Sequence, residues 1–93
     1  MKVIIRDAAY DDLDRIYEWI AKDRPRSADS VIDRILESID QLGRFPFIGH
    51  AGKAAGTHEW VVTGLPYIVV YEIDSNNDEL RVVAVFHGAQ NRE

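Results

Sequence analysis

The sequence contains no cysteine among its 93 residues. This absence excludes a disulfide-stapled scaffold, a zinc–thiolate centre and a thiol nucleophile. No apolar run approaches the roughly 18 residues that a membrane-spanning helix needs, and Val3–Ile5 is too short for the apolar part of a signal peptide. We therefore expect one domain over residues 1–93, a cytoplasmic location and no membrane partner.

Positive charge is also scarce: 11 Lys and Arg face 16 Asp and Glu, a formal net charge of −5. After the first six residues no segment is basic, and residues 7–44 alone hold ten acidic and six basic side chains. Binding to nucleic acid without base readout depends on Lys and Arg neutralising phosphates. We expect no direct specific DNA binding by this chain, and a partner that binds residues 7–44 should be basic.

Hydrophobic periodicity predicts the order β-α-α-β-β-β. Residues 2–6 are β-branched and predict a strand, after which Asp7 is the expected N-cap of a first helix. A second helix should start between Pro25 and Ser27 and stop at Gly43. The apolar stripes that predict the two helices are Leu13, Ile16, Tyr17 and Ile20, then Ala28, Ile32, Ile35, Ile39 and Leu42.

The second half predicts a loop and three antiparallel strands. Residues 44–56 should form the loop, held to the core by Phe45, Phe47 and Ile48. The period then becomes two over residues 57–63, 67–73 and 79–87. Strict alternation places Leu80, Val82, Ala84 and Phe86 on one face of the last strand, and Arg81, Val83, Val85 and His87 on the other.

The predicted fold class is α+β, with a helical hairpin packed on one face of an antiparallel sheet. The middle strand, residues 67–73, is apolar on both faces except at Glu72. Two helices cannot cover both faces, so the sequence predicts an apolar sheet surface left bare for a partner.

Four segments carry a resemblance to a known family over nearly the full length. They are Ala9–Leu13 at the first helix, Phe45–Gly49 after the second helix, Leu65–Tyr71 in the central strand and Val85–Ala89 at the end. In this order and spacing the chain resembles the ParE/RelE-type toxins of bacterial type II toxin–antitoxin systems. The start Leu65-Pro66-Tyr67 and the ending His87-Gly88-Ala89 are more similar to the ParE branch than to the RelE branch.

The resemblance implies a toxin that inhibits DNA gyrase and blocks replication without catalysis of its own, as in plasmid stabilisation systems. It implies a cognate ParD-like antitoxin that forms a hetero-oligomer with the toxin, and no cofactor. Two alternatives stay open. One is a ribosome-dependent mRNA endoribonuclease of the RelE type, and the other is a degenerate, non-toxic member that only binds an antitoxin.

The candidate catalytic residues of a nuclease are His58, Arg81 and His87. In-line RNA cleavage needs a base, an acid and cations for the phosphorane. Many relatives carry Arg where this chain has His58 and Glu72, and a carboxylate in place of a cation weakens a phosphate site. The three histidines match no metal-ligand spacing, so no metal site is expected.

Two further sets of residues are candidates for binding surfaces. A toxic surface at the end of the last strand would include His87, Gly88, Ala89 and Gln90, although His87 alone also suits a strand-end histidine capped by a neighbouring backbone group. The partner-binding candidates are Trp19, Trp60, Tyr67, Tyr71 and Arg81. For the aromatic candidates on the strands the alternative is packing under the helices, and for Arg81 an ion pair with Glu59 or Glu72.

Overall fold

The computed structural model of the chain describes residues 1–89. Two helices and five strands follow one another as β1 (Lys2–Ile5), α1 (Asp7–Ala21), α2 (Pro25–Arg44), β2 (His50–Ala51), β3 (Thr57–Val61), β4 (Tyr67–Asp74) and β5 (Glu79–His87). The predicted order is confirmed, with one addition: the loop after α2 contributes the two-residue strand β2. Within residues 1–89, neither helix combines the length and the apolar character needed to cross a membrane.

The strands form one sheet in the order β1-β5-β4-β3-β2. The meander β3-β4-β5 is antiparallel as predicted, but β1 pairs in parallel with β5 from Lys2–Glu79 to Ile5–Val82. The sheet is therefore mixed, and the prediction of an antiparallel sheet is wrong at this edge. Alternation along a strand identifies the strand, whereas its direction depends on long-range pairing that alternation does not encode.

The helix ends differ slightly from the prediction. The residue before α1 is Arg6, no side chain caps the helix, and Asp7 is already helical, so the prediction of Asp7 as N-cap is wrong. Its charge still lies at the positive end of the helix dipole. The second helix begins at Pro25 and runs one residue past Gly43. At Gly43 an added Cβ would lie 2.6 Å from Val3 Cγ2, so this glycine permits close packing of α2 on β1.

The core lies between the helical hairpin and one face of the sheet. Because α1 and α2 both contact β5, the apolar stripes of the two helices close over the same strands. The fully buried members with the largest side chains are Tyr71, Ile35, Leu42, Leu80, Val62, Val69 and Val82.

A β-bulge changes which residues of β5 face the helices. Tyr71 pairs with Val82 but Val70 pairs with Ala84, so Val83 is an extra residue in β5. Beyond the bulge, Val85 and His87 pair with Val69 and Tyr67 on the helix-facing side. The predicted alternation is therefore wrong after Val82: Ala84 and Phe86 lie on the face turned away from the helices.

The face away from the helices is less exposed than the sequence predicts. Ala84 and Phe86 are buried there, and Ile68 and Val70 are half-buried. Val61 is the one exposed large hydrophobic residue of this face among the described residues. The others lie on the helices and in the turn that follows α2, namely Tyr10, Tyr17, Trp19, Leu36, Phe45, Phe47 and Ile48. The expectation that the bare surface belongs to the sheet is thereby corrected.

Candidate interaction site between α1 and β5

A groove of about 430 Å³ separates α1 from the end of the sheet. It is lined by Asp12, Arg15, Ile16 and Trp19 of α1 and by Tyr67, Val85, Phe86 and His87 of the strands. Three of the predicted site residues, Trp19, Tyr67 and His87, thus meet in one place although they are far apart in sequence. We call this feature the α1–β5 groove.

The bulge and one carboxylate build the α1–β5 groove. The extra residue Val83 turns His87 to the helix side, where it lies opposite Tyr67. Strand β1 pairs with β5 only as far as Val82, and beyond that point the Val85 N–H donates to Oδ2 of Asp12 at 2.9 Å. Arg15 in turn donates to the Asp12 carboxylate. The sequence analysis did not identify Asp12 as a site residue, because a contact across 73 positions leaves no local signal.

The aromatic side chains of the groove differ in exposure. The Trp19 side chain is 73% exposed, with the Lys22 ammonium 5.9 Å from its ring centroid. Tyr67 is buried, which raises the pKa of its phenol, and its ring meets His87 edge-on at 5.4 Å. The phenol is therefore neutral at physiological pH, and Trp19 supplies the open apolar surface.

His87 is the last residue of β5, and a neighbouring backbone N–H caps its side chain, as the sequence allows. The Ala89 N–H donates to His87 Nδ1 at 3.0 Å, and the Gly88 N–H donates to the Pro66 carbonyl at 2.6 Å. These contacts fix the chain as it leaves β5. The fourth member of the predicted toxic surface, Gln90, lies outside the described residues.

Tyr71 has an internal position that is incompatible with direct contact to a partner. Its side chain is fully buried, its hydroxyl donates to the Pro46 carbonyl at 2.8 Å, and it accepts from the Gly49 N–H at 3.1 Å. Burial raises the pKa of this phenol. The ring also stacks on His58 at 5.3 Å. Tyr71 therefore matches the alternative prediction, in which it packs in the core under the helices.

Trp60 is half-buried against the same core. Its indole N–H is buried and has no hydrogen-bond partner within the described part of the chain. The residue shares a face of β3 with His58, opposite Val69 of β4. Trp60 therefore lies beneath the helices, away from the α1–β5 groove.

The turn after α2 is held by Tyr71 and exposes its aromatic residues. The Ile48 N–H donates to the Phe45 carbonyl at 3.3 Å, and an added Cβ at Gly49 would lie 2.4 Å from the Tyr71 hydroxyl oxygen. Phe45, Phe47 and Ile48 are all exposed, so the prediction that they anchor the loop to the core is wrong. The turn is instead anchored by the hydroxyl of Tyr71 in β4, which approaches Gly49 closely because glycine has no side chain.

Arg81 lies on the sheet face away from the helices. It donates to Asp74 at 2.5 Å and to Glu79 at 2.9 Å, whereas the predicted pairing with Glu59 or Glu72 is not formed. Glu72 instead lies 3.6 Å from Arg6. Hydrogen bonds from Asn77 and then from Arg81 lower the pKa of Asp74. The carboxylates around Arg81 leave it little charge to offer a phosphate group.

The structure does not bring the nuclease candidates together. His58 pairs with Tyr71 and His87 with Tyr67, positions four residues apart along β4 and hence about 13 Å apart. Arg81 points to the opposite face of the sheet from both histidines. Residues 1–89 also contain no group of three or more His, Cys, Asp or Glu side chains placed to hold a metal ion.

The chain is similar to known proteins in sequence and in structure. The family model described as ParE toxin of type II toxin-antitoxin system, parDE, matches residues 3–92. The candidate toxin Y4kP of Sinorhizobium fredii is 35% identical over 78 residues, which cover 84% of this chain and 78% of that protein.

Solved structures share the fold. A chain of the chromosomal ParDE toxin–antitoxin system from P. aeruginosa superposes with a TM-score of 0.83 at 18% identity, covering 94% of this chain and 95% of that one. A chain of the intact E. coli RelBE toxin–antitoxin complex gives a TM-score of 0.71 at 11% identity, covering 97% and 98%. At these identities the structures establish a common fold, to which both ParE-type and RelE-type proteins conform.

Proposed function

The chain belongs to the ParE toxin family of type II toxin–antitoxin systems, and from this premise we propose that it inhibits DNA gyrase and thereby blocks replication. The proposal includes neutralisation by a cognate ParD-like antitoxin in a hetero-oligomer. It involves no catalysis by the toxin and no cofactor. Gyrase as the target would place the action of the protein in the cytoplasm.

The observation that carries the proposal is the arrangement of the candidate residues. Trp19, Tyr67 and His87 meet in the α1–β5 groove, whereas His58 and Arg81, which a nuclease would need beside His87, lie elsewhere on the sheet. A concave surface with one exposed aromatic ring suits binding by occupancy. The superposition on the ParDE chain gives additional support.

The proposed mechanism is that the toxin binds gyrase through the α1–β5 groove and the end of β5. Trp19 would enter an apolar pocket of the enzyme, since a large exposed aromatic side chain gives the greatest binding energy per residue. Hydrogen bonds from Ala89 and Gly88 hold the adjoining backbone in one conformation, so little entropy would be lost on binding. Binding would stabilise a stalled or cleaved state of the topoisomerase.

The decisive experiment compares two reactions of the purified toxin. We expect inhibition of DNA supercoiling by gyrase, and no cleavage of mRNA on translating ribosomes. The Trp19→Ala variant should require at least about tenfold more protein for the same inhibition. Phe47→Ala is the matched control, because Phe47 is 71% exposed, close to the 73% of Trp19, but lies outside the groove.

Two results would contradict the proposal. Ribosome-dependent mRNA cleavage that is lost in His87→Ala would establish the RelE-type alternative. A wild-type toxin that binds its antitoxin but arrests neither replication nor translation would establish the degenerate alternative. Equal potency of Trp19→Ala and Phe47→Ala would remove the α1–β5 groove from the mechanism while leaving gyrase as the target.

A further inference from the structure

The turn that joins α1 to α2 gathers positive charge in a chain that is otherwise acidic. Residues 22–27 hold three cationic side chains and one carboxylate, a net charge of +2, whereas the whole chain carries −5. All six residues are exposed. We call this segment the hairpin tip, and its cations are Lys22, Arg24 and Arg26. Counting charge over residues 7–44 as a whole hides it, so the statement that no later segment is basic is wrong for these six residues.

The cations of the hairpin tip are not neutralised within residues 1–89. Ion pairs with carboxylates occupy four other cationic side chains, namely Arg6, Arg15, Arg44 and Arg81. Arg34 donates to the Thr63 carbonyl at 2.5 Å. Five Lys and Arg side chains of the described residues remain without an ion pair or a hydrogen bond, and three of the five belong to the hairpin tip. Positive charge available to a partner is therefore concentrated at this end of the helices.

Backbone hydrogen bonds hold the hairpin tip in one conformation. The N–H groups of Asp23 and Arg24 both donate to the Ile20 carbonyl, at 3.2 and 2.9 Å, and the Ala28 N–H donates to the Arg24 carbonyl at 3.0 Å. Pro25, the first residue of α2, restricts the backbone between the two arginines. The backbone that carries the cations is thus already ordered, so a partner would immobilise only side chains.

The hairpin tip adjoins the α1–β5 groove. The Lys22 ammonium lies 5.9 Å from the ring centroid of Trp19, which lines the groove. Lys22 follows the end of α1 and Arg26 is in the first turn of α2, so the cations span the distance between two packed helices, about 10 Å. A span of about 10 Å matches two or three successive phosphates, since each strand of duplex DNA carries one phosphate per about 3.4 Å of its axis.

We propose that the hairpin tip contacts the phosphate backbone of the DNA that gyrase holds, an inference that rests on the proposed function. A toxin bound to gyrase through Trp19 would bring the adjoining cations to the surface of an enzyme whose substrate is a polyanion. The remainder of the chain is acidic and would be repelled by DNA, so the hairpin tip is the end that faces it. Such a contact reads no base sequence and agrees with the expectation of no specific DNA binding.

The test measures the dissociation constant of the toxin for gyrase alone and for gyrase with a bound DNA duplex. At about 50 mM salt, Arg24→Gln/Arg26→Gln should weaken binding to the DNA-bound enzyme by about tenfold and change binding to the enzyme alone by no more than about twofold. For the DNA-bound enzyme, the slope of log affinity against log salt concentration should decrease in magnitude by about 1.8, which is about 0.9 for each lost phosphate contact.

The matched control is Lys2→Gln/Lys53→Gln, which removes the same charge from two exposed side chains that also lack ion pairs within residues 1–89. Lys2 pairs with Glu79 at the start of β5, whereas the groove and the hairpin tip lie beyond the end of that strand. Lys53 lies beside Val70 on the sheet face turned away from the helices. The control should change both dissociation constants by no more than about twofold. Circular dichroism of each free variant shows that it is folded before binding is compared.

The outcomes separate this inference from the proposed function. Trp19→Ala should weaken binding to both forms of the enzyme, because the groove contacts gyrase itself. Equal losses for Arg24→Gln/Arg26→Gln with and without DNA would assign the hairpin tip to an acidic surface of gyrase and overturn the contact with DNA. Equal affinities of this variant and its control for the DNA-bound enzyme would also overturn it and leave gyrase as the target. If the wild type binds gyrase in neither form, the proposed function fails and this inference with it.

Discussion

At the scale of single residues, Tyr71 has the most consequential position in the molecule. Its hydroxyl bridges two backbone groups of the turn after α2, the Pro46 carbonyl and the Gly49 N–H. The rest of the side chain is buried in the core between the sheet and the helices. One phenol therefore holds an aromatic-rich turn against the fold while Phe45 and Phe47 stay exposed.

Replacing Tyr71 with Phe should lower the free energy of unfolding by about 1–2 kcal/mol, since the half-buried Gly49 N–H and Pro46 carbonyl lose their partner. The loss is measurable by urea denaturation, and hydrogen exchange at the Gly49 amide should accelerate. Tyr10→Phe is the matched control, because Tyr10 is exposed and should change stability by less than about 0.5 kcal/mol. Equal stability of the two variants would contradict the role given to the Tyr71 hydroxyl.

Asp74 gives the stability a defined dependence on pH. Hydrogen bonds from Asn77 and Arg81 lower the pKa of this carboxyl in the folded state. The unfolded chain therefore binds a proton first on acidification, and the stabilisation is present above the ordinary aspartate pKa of about 4 and is lost as the pH falls through the folded value.

The Asp74→Asn variant should consequently be less stable than the wild type at pH 7, and the difference should shrink at low pH. Urea denaturation at pH 7 and at about pH 3 measures this convergence. The control is Ser75→Ala, at an exposed position of the turn that follows Asp74, because this substitution changes no ionisable group and should show no such convergence. A stability difference that is independent of pH would show that the contacts of Asp74 act without its charge.

At single residues, the sequence predicts the two faces of a strand but not the exposure of apolar side chains in a loop. The two faces of β3 follow directly from alternation, and His58 and Trp60 do share the helix-facing side. The exposure of Phe45 and Phe47 could not be inferred, because an apolar residue in a loop is ordinarily a core contact. Gly49 is the residue in the loop that permits the observed conformation. Its role cannot be inferred locally, because the side chain it contacts, Tyr71, is 22 positions away.

At the scale of elements, α1 and β5 are joined by a backbone-to-carboxylate contact. The Val85 N–H is buried in a segment that β1 does not reach, and Asp12 accepts its hydrogen at 2.9 Å. Asp12 thus takes the place of a neighbouring strand for one amide group. The same contact holds α1 at the distance from β5 that opens the groove.

Replacing Asp12 with Ala should lower the free energy of unfolding by about 1–3 kcal/mol, because the Val85 N–H then lacks an acceptor. Asp12→Asn keeps an acceptor oxygen and should recover at least about half of that loss. Chemical denaturation of the two variants measures the difference. Comparable losses in Asp12→Ala and Asp11→Ala would indicate helix propensity as the cause and would contradict the proposed link.

The elements themselves were largely predictable, and their pairing was not. Apolar stripes at helical spacing identify α1 and α2, and Pro25 marks the start of the second helix correctly. The bulge at Val83 left no sequence signal, since the residues on both sides of it are apolar. The bulge nevertheless determines that His87 lies opposite Tyr67. The sequence could therefore identify Trp19, Tyr67 and His87 as candidate residues, but it could not predict that they line one groove.

At the scale of the whole molecule, negative charge and exposed apolar area coincide on the helices. The sequence predicted both features but assigned the apolar surface to the sheet. The difference arises because the bulge and strand packing bury Ala84 and Phe86, while Tyr10, Trp19 and Leu36 stay exposed. The exposed apolar area of the described residues therefore lies mainly on the helices and the turn after α2, and Trp19 brings part of it to the α1–β5 groove, which we propose binds the target.

A chain of 93 residues buries only about 60% of the surface of its unfolded state, so its stability margin is small and a partner adds to it measurably. At a free antitoxin concentration 100 times the dissociation constant, binding adds about 2.7 kcal/mol, which corresponds to a rise in Tm of about 10–20 °C. Each further tenfold in antitoxin should add about 1.4 kcal/mol.

Calorimetry of the toxin with increasing antitoxin tests this directly, and an unrelated protein of similar charge serves as the control. The Trp19→Ala variant should follow the wild type, because the α1–β5 groove is proposed to bind the target and not the antitoxin. A Tm that does not depend on antitoxin concentration would mean that the antitoxin does not bind the folded toxin. If Trp19→Ala loses the rise, the antitoxin occupies the α1–β5 groove, and neutralisation is direct competition with the target.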